Sequence, residues 1–179
     1  MSADHEELAY LGIDEAALLI RGRKLSPVEY TQALISRVER HDGRINAFLR
    51  FTPEIALADA RRAEAEIMAG NWRGPMHGVP YGLKDIVDYA GLPTTAHSAV
   101  LKDNIAPSDA AVTQKLRAAG GVFMGKLATH EFATGGPSFD LPWPPARNPW
   151  NRDHFTGGSS SGSGAATAAG FLPMAIGSD

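Results

Sequence analysis

The sequence predicts an α/β protein, because segments with helical periodicity alternate with short apolar segments typical of strands. Residues 108–119 are predicted to form a helix, capped by Ser108-Asp109 and ended by Gly120-Gly121, and residues 122–124 follow as a strand. Near the C-terminus, the alanine-rich residues 165–170 predict a short helix, and the apolar residues 171–176 have the length of a buried strand. Helix followed by strand therefore occurs twice, which favours a sheet with helices packed against it.

Two long helices are predicted nearer the N-terminus. Ser26 and Pro27 begin the first, because a serine hydroxyl caps free backbone N–H groups and proline fits the first helical position. Thr52-Pro53-Glu54 begins the second, which is rich in alanine, runs through Ile67 and ends at Gly70. The shorter predicted elements are a helix in two pieces around Gly12 over residues 6–21, strands over 45–51 and 78–87, and mostly loop over 126–150.

Composition limits the class of protein. The chain of 179 residues has the length of one domain, with an ordinary globular balance of 44% hydrophobic and 21% charged residues. A net charge of −3 does not favour binding to nucleic acid, and the absence of cysteine excludes disulfides and thiol nucleophiles. No apolar run approaches the ~20 residues of a membrane span. We therefore expect a cytoplasmic protein without membrane association or direct nucleic-acid binding.

The glycine- and serine-rich residues 157–164 are either a flexible linker or a functional loop. A linker should separate independent units, but this segment leads directly into the predicted helix at 165–170. A phosphate-binding loop is excluded because no lysine follows Gly162, and the dinucleotide fingerprint fails because Thr167 stands where its third glycine is required. The segment is therefore predicted to be an active-site loop that offers serine hydroxyls for acyl transfer.

A serine nucleophile requires a base, and lysine is the best candidate in this sequence. None of the 6 histidines lies at metal-ligand spacing or in a motif that connects it to the serine loop, so no metal and no cofactor are expected. A lysine must lose its proton near neutral pH, and burial favours that loss. Lys84 lies in an apolar, strand-like context, whereas the other lysines lie in polar or helix-face contexts: Lys24, Lys102, Lys115 and Lys126.

Four segments together resemble the amidase signature family. They are Gly78-Val79-Pro80-Tyr81-Gly82-Leu83-Lys84-Asp85, Gly125-Lys126 with Glu131-Phe132, Arg147-Asn148-Pro149-Trp150, and Gly157-Gly158-Ser159-Ser160. Their order covers about residues 25–179. The resemblance implies a mixed central sheet with helices on both faces, and hydrolysis of carboxylic amides by a Ser-Ser-Lys triad through an acyl-enzyme.

By this resemblance, Lys84 is the catalytic lysine and Ser159 is the bridging serine, preceded by a cis peptide bond. The family's nucleophilic serine follows an aspartate that matches Asp179, so we expect residues 1–179 to be the N-terminal part of a single amidase domain, inactive alone. Gly135 and Gly136 are predicted to wall the substrate pocket, and Ser160 is predicted to contact the substrate beside Ser159. Ser161, Ser163-Gly164 and Ser178 depart from the family pattern without removing Lys84 or Ser159.

Three functions remain open from the sequence. The first is an amidase with a small-molecule amide substrate. The second is the ammonia-releasing component, the A subunit, of a glutamine-dependent tRNA amidotransferase, which usually carries Ser-Thr-Glu-Asn where this chain has Gly135-Gly136-Pro137-Ser138. The third is an inactive fragment that binds a partner through its sheet. The apolar residues 171–176 at the edge of an unfinished sheet would also favour self-association or a homodimer.

Overall fold

The computed structural model describes residues 6–179, in which helices and strands alternate from residue 27 onward. The helices are α1 (Glu6–Ala9), α2 (Ile13–Arg21), α3 (Pro27–His41), α4 (Pro53–Met68), α5 (Ala111–Ala118) and α6 (Ser161–Ala168). The strands are β1 (Phe48–Phe51), β2 (Pro80–Lys84), β3 (Val122–Leu127) and β4 (Met174–Ile176). Short 3-10 turns lie at Asp42–Arg44, Ala99–Leu101 and Glu131–Ala133.

The four strands form one mixed sheet in the order β1-β3-β2-β4. Strand β2 runs parallel to both β3 and β4, and β1 runs antiparallel to β3. Every residue of β2 and β3 is buried, as expected for central strands covered on both faces. The parallel pairing brings the carboxyl ends of β2, β3 and β4 to the same edge of the sheet, and the predicted α/β class is confirmed.

Apolar side chains cover both faces of the sheet. Val122 and Met124 belong to one buried cluster, which includes residues of α3 and α6. Phe123 belongs to a second cluster, against which Leu116 of α5 packs. Because alternate residues of a strand point to opposite faces, the two clusters lie on opposite sides of β3. Helices therefore pack on both faces, in agreement with the predicted architecture.

Local capping predicts one helix start correctly and another incorrectly. The Ser26 hydroxyl accepts hydrogen bonds from the N–H groups of Val28 and Glu29, as predicted for the cap of α3. The predicted cap of α5 at Ser108-Asp109 is wrong, because the helix begins at Ala111 without a side-chain cap. The Asp109 carboxylate instead accepts a hydrogen bond from the Ala90 N–H (2.8 Å). A tertiary contact thus removes the carboxylate from the helix terminus.

Strand β3 continues to Leu127, beyond the predicted end at Met124, so the prediction of loop from residue 126 is also wrong at its start. The extension buries Lys126 completely. The Lys126 ammonium lies 2.7 Å from the Asp85 carboxylate, which compensates its charge inside the protein. The expected helix-face position of Lys126 is therefore wrong, because the residue lies in β3, although the partners of its ammonium are polar.

Helix α6 begins at Ser161, four residues before the predicted start at Ala165. Gly162 lies in its first turn and packs directly on the end of β3, with its N–H donated to the Ala128 carbonyl (2.8 Å). A Cβ at Gly162 would lie 2.3 Å from the Ala128 nitrogen and 2.4 Å from the Ala47 oxygen. Backbone contact with the sheet, available only to glycine here, therefore stabilises a helix start that propensity does not predict.

The Gly162→Ala variant is expected to lower the free energy of unfolding by about 1–3 kcal/mol, because backbone atoms cannot move aside for the added methyl group. Gly164→Ala is the matched control in the same helix, since a Cβ there meets nothing within 4 Å. We expect that control to raise stability by up to about 1 kcal/mol. Urea denaturation of both variants measures the difference, and equal effects would contradict the packing argument.

Strand β4 lies at the edge of the sheet, and its three residues are partly exposed. The strand is shorter than the predicted strand over 171–176, because it begins at Met174. Phe171 and Leu172 precede it and belong to the buried cluster that includes residues of α3. Self-association along this edge stays a prediction. Within residues 6–179, no helix has both the length and the apolar character needed to cross a bilayer.

Candidate active site

Lys84, Ser159 and Ser178 meet at the carboxyl edge of the parallel strands. Lys84 is the last residue of β2, Ser178 follows β4, and Ser159 lies in the loop that precedes α6. The Lys84 Nζ donates hydrogen bonds to the Ser159 Oγ (2.7 Å) and to the Ser178 Oγ (2.8 Å). The structure therefore brings together the two predicted catalytic residues and adds a second hydroxyl that sequence reasoning did not assign to the site.

The amine of Lys84 lies in an environment that favours its neutral form. The side chain is fully buried, and this burial lowers the pKa of Lys84 below its ordinary value. The nearby Asp179 carboxylate partly opposes the shift, because a negative charge stabilises the ammonium. A neutral Lys84 has a lone pair that can accept the hydroxyl proton of Ser159, and the geometry is therefore suited to general-base chemistry.

The serine loop and the first turn of α6 are fixed to the end of β4 and to the residues that follow it. The Ser160 Oγ donates to the Ser178 carbonyl (3.2 Å) and accepts from the Ser178 N–H (3.1 Å). The Ser163 Oγ donates to the Ile176 carbonyl (2.9 Å). The Gly158–Ser159 peptide bond is cis, as the family resemblance implies. Ser160 thus aligns the two hydroxyl-bearing segments around Lys84, whereas its predicted contact with the substrate stays a prediction.

Gly135 and Gly136 lie in an exposed loop that follows the turn at Glu131–Ala133. The Gly135 carbonyl accepts a hydrogen bond from the Nδ1 of His130 (2.9 Å), and His130 in turn packs against Gly158. This histidine connects the two loops, although the sequence linked no histidine to the serine loop. The substrate-binding role of the two glycines stays a prediction.

The buried ion pair of Asp85 and Lys126 lies next to the site. Asp85 follows the catalytic lysine in sequence, and its carboxylate accepts hydrogen bonds from the Thr95 N–H (2.9 Å) and from the Lys126 ammonium. Lys126 also donates to the Pro93 carbonyl (3.1 Å) and the Thr94 hydroxyl (2.9 Å). Burial lowers the pKa of Lys126, and the Asp85 carboxylate partly opposes that shift. With all three ammonium hydrogens bonded, Lys126 is held as a structural cation.

Sequence reasoning missed Ser178 and Thr129 as parts of the site. Ser178 departs from the family pattern, and its hydroxyl is the signal that could have assigned it to the site. Thr129 lies just beyond β3, and no local pattern indicates that its hydroxyl reaches the serine loop. Across the described residues 6–179, no group of three or more histidine and carboxylate side chains is placed to hold a metal ion.

Comparison with known proteins places this geometry in a family. The family model described as Amidase matches residues 29–179, which is most of the chain. The chain belongs to the amidase family. The match includes Lys84, Ser159 and Ser178, so the cluster at the carboxyl edge of the sheet lies within the shared domain.

Relatives in the amidase family include two kinds of protein. The A subunit of the glutamyl-tRNA(Gln) amidotransferase of Moorella thermoacetica is 43% identical over 173 residues, which are 97% of this chain and 36% of that protein. The putative amidase AmiD of Mycobacterium tuberculosis is 43% identical over 176 residues, which are 98% of this chain and 37% of that protein. The chain therefore spans little more than a third of the length of these relatives.

Solved structures of amide hydrolases share the fold. Fatty acid amide hydrolase superposes with a TM-score of 0.93 at 26% identity, covering 100% of this chain and 32% of that chain. The peptide amidase of Stenotrophomonas maltophilia superposes with a TM-score of 0.83 at 32% identity, covering 90% of this chain and 34% of that chain. The arrangement of helices and strands around Lys84 is thus an amidase arrangement.

Proposed function

We propose that the protein carrying this sequence hydrolyses carboxylic amides, with Lys84 and Ser159 as two members of a Ser-Ser-Lys triad. The observation that carries the proposal is the 2.7 Å hydrogen bond between a fully buried Lys84 and Ser159. Membership of the amidase family and the likeness to two amide hydrolases support the same chemistry. The substrate is a small-molecule amide.

In this mechanism, neutral Lys84 takes the hydroxyl proton of Ser159, and Ser159 takes the proton of the attacking serine. The serine oxygen then forms a bond to the amide carbon, and the C–N bond breaks as the proton returns through Ser159 to the leaving amine. Water repeats the sequence on the acyl-enzyme and releases the acid. Among the described residues, the Ser160 hydroxyl donates to the Ser178 carbonyl and the Ser163 hydroxyl donates to the Ile176 carbonyl. Because the family resemblance places the nucleophile after the aspartate that matches Asp179, the attacking serine is proposed to lie outside residues 6–179.

Glutamine-dependent amidotransfer is the second candidate, because the A subunit of the tRNA amidotransferase is among the relatives that match nearly the whole chain. The same triad would then release ammonia from glutamine for use by partner proteins. Glutaminase activity that depends on co-purifying partners distinguishes this function from that of an independent amidase. An amidase should instead hydrolyse simple amides as a single polypeptide.

The test compares a protein of residues 1–179 with the full-frame protein, which is the product of the whole reading frame that encodes these residues. In the full-frame protein, Ser159→Ala is expected to lower kcat/KM for amides by about 10²–10⁴-fold, because the proton relay is lost. Ser108→Ala is the control, since Ser108 is exposed and lies in another segment. A serine-directed phosphonate probe is expected to label the full-frame protein and to leave residues 1–179 unlabelled. Labelling of residues 1–179 at Ser159 or Ser178 would overturn the relay and indicate direct attack by that hydroxyl.

A further inference from the structure

The segment Ala128–His130, which continues from β3, runs beside the serine loop and binds it at two points. The Ser159 carbonyl accepts hydrogen bonds from the Thr129 hydroxyl and from the His130 N–H, both at 2.9 Å. Farther along, the Gly162 N–H donates to the Ala128 carbonyl (2.8 Å). The peptide group of Ser159 is therefore held from the sheet side by two converging donors.

The ring of His130 packs against Gly158, the neighbour of Ser159 in the sequence. A Cβ on Gly158 would lie 2.3 Å from the ring carbon Cε1, so the ring rests directly on this glycine. His130 is 6% exposed, and its Nδ1 is bonded to the Gly135 carbonyl. The two residues are thus held at two points, Gly158 by the ring contact and the Ser159 carbonyl by two hydrogen-bond donors.

Thr129 is itself held in place. The residue is 2% exposed, and its carbonyl accepts a hydrogen bond from the Nδ1 of His97 (2.7 Å). Because the backbone of Thr129 is anchored on β3 and by His97, its hydroxyl is a fixed donor to Ser159. Lys84 lies at the end of the neighbouring strand, so Thr129 and Lys84 bind opposite ends of one residue: the carbonyl and the hydroxyl of Ser159.

We propose that Thr129 is a positioning residue for the proton relay, which holds the carbonyl of Ser159 so that its hydroxyl stays on Lys84. The inference rests on the proposed function for its kinetic consequence. Thr129 acts on the relay through Ser159, whose carbonyl its hydroxyl binds. Its hydroxyl matters because one remaining donor, the His130 N–H, allows the carbonyl to pivot, whereas two donors fix its direction.

The kinetic test uses Thr129→Val and Thr129→Ser in the full-frame protein. Valine keeps the shape and removes the hydroxyl, so we expect kcat to fall by about 10–100-fold with a change in KM of less than about threefold. Serine keeps the donor and is expected to restore kcat to within about threefold of wild type. The matched control is Thr113→Val, because the buried Thr113 hydroxyl also donates to a backbone carbonyl, that of Asp88 (2.7 Å), in a different part of the fold. That variant should lose stability and keep its kcat.

A second measurement follows Lys84 directly and requires no turnover. NMR titration of the Lys84 side chain in residues 1–179 is expected to show a lower midpoint in Thr129→Val than in wild type, because a mobile Ser159 hydroxyl is a poorer acceptor for the ammonium. Thr129→Ser and Thr113→Val should titrate as wild type does. An unchanged midpoint together with an unchanged kcat in Thr129→Val would overturn the proposal. A shifted midpoint in a protein that hydrolyses no amide would support the positioning role and reject the proposed function.

Discussion

Replacing Lys84 by arginine is expected to abolish amide hydrolysis nearly as completely as replacing it by alanine. A guanidinium group cannot give up its proton in a protein, so arginine keeps the positive charge and loses the basicity. We expect both variants of the full-frame protein to lose about 10²–10⁴-fold in kcat/KM, the usual contribution of a general base. Lys102→Arg is the control, because the Lys102 side chain is exposed. An arginine variant that keeps more than about a tenth of the rate, a barrier change below about 1.4 kcal/mol, would show that Lys84 supplies charge only.

The lowered pKa of Lys84 makes both the rate and the free energy of unfolding depend on pH. The rate should rise with pH as Lys84 loses its proton, and burial places the pKa of Lys84 below its ordinary value. Between that lowered pKa and the unfolded lysine value of about 10.4, the unfolded chain binds a proton that the folded chain has released. The free energy of unfolding of wild type, relative to Lys84→Met, should therefore increase with pH through this interval. If the difference in free energy of unfolding between wild type and Lys84→Met stayed constant across this interval, a lowered pKa of Lys84 would be contradicted.

Removing Lys126 is expected to have the largest effect on stability. Lys126→Met leaves the buried Asp85 carboxylate without its counter-charge, and such losses cost about 3–5 kcal/mol. The double variant Asp85→Asn/Lys126→Met should be more stable than Lys126→Met alone, because the amide carries no charge and can still accept from Thr95. Urea denaturation of residues 1–179 measures both.

An exposed ion pair provides the comparison for this experiment. Glu6 is 71% exposed at its side chain and lies 3.8 Å from Arg37, so Glu6→Gln should change stability by less than about 1 kcal/mol. If Lys126→Met were as mild as Glu6→Gln, the buried pair would contribute nothing beyond a surface contact. Asp85 follows Lys84 in the sequence and accepts a hydrogen bond from the Thr95 N–H. A large loss of stability in Lys126→Met would therefore also link this ion pair to the geometry around Lys84.

Much of the fold could be predicted because its signals are local. Ser26 caps α3 with its own hydroxyl, and Pro27 and Pro53 stand at helix starts, so these boundaries depend on neighbouring residues alone. The errors occur where a distant segment provides the decisive contact. The Asp109 carboxylate accepts a hydrogen bond from the Ala90 N–H and does not cap α5. Lys126 lies within β3, where the Asp85 carboxylate pairs with its ammonium.

The sequence by itself determined the α/β class through periodicity and the family resemblance through motifs of contiguous residues, and that resemblance implied the pairing of Lys84 with Ser159. The tertiary structure alone decided what surrounds that pair. Ser178 reaches Lys84 across 94 residues, and Thr129 reaches Ser159 across 30 residues. Such contacts depend on the register of β2, β3 and β4, which places the ends of three strands at one edge of the sheet. Strand register is fixed by packing among distant segments, and for that reason no local pattern in this chain predicts it.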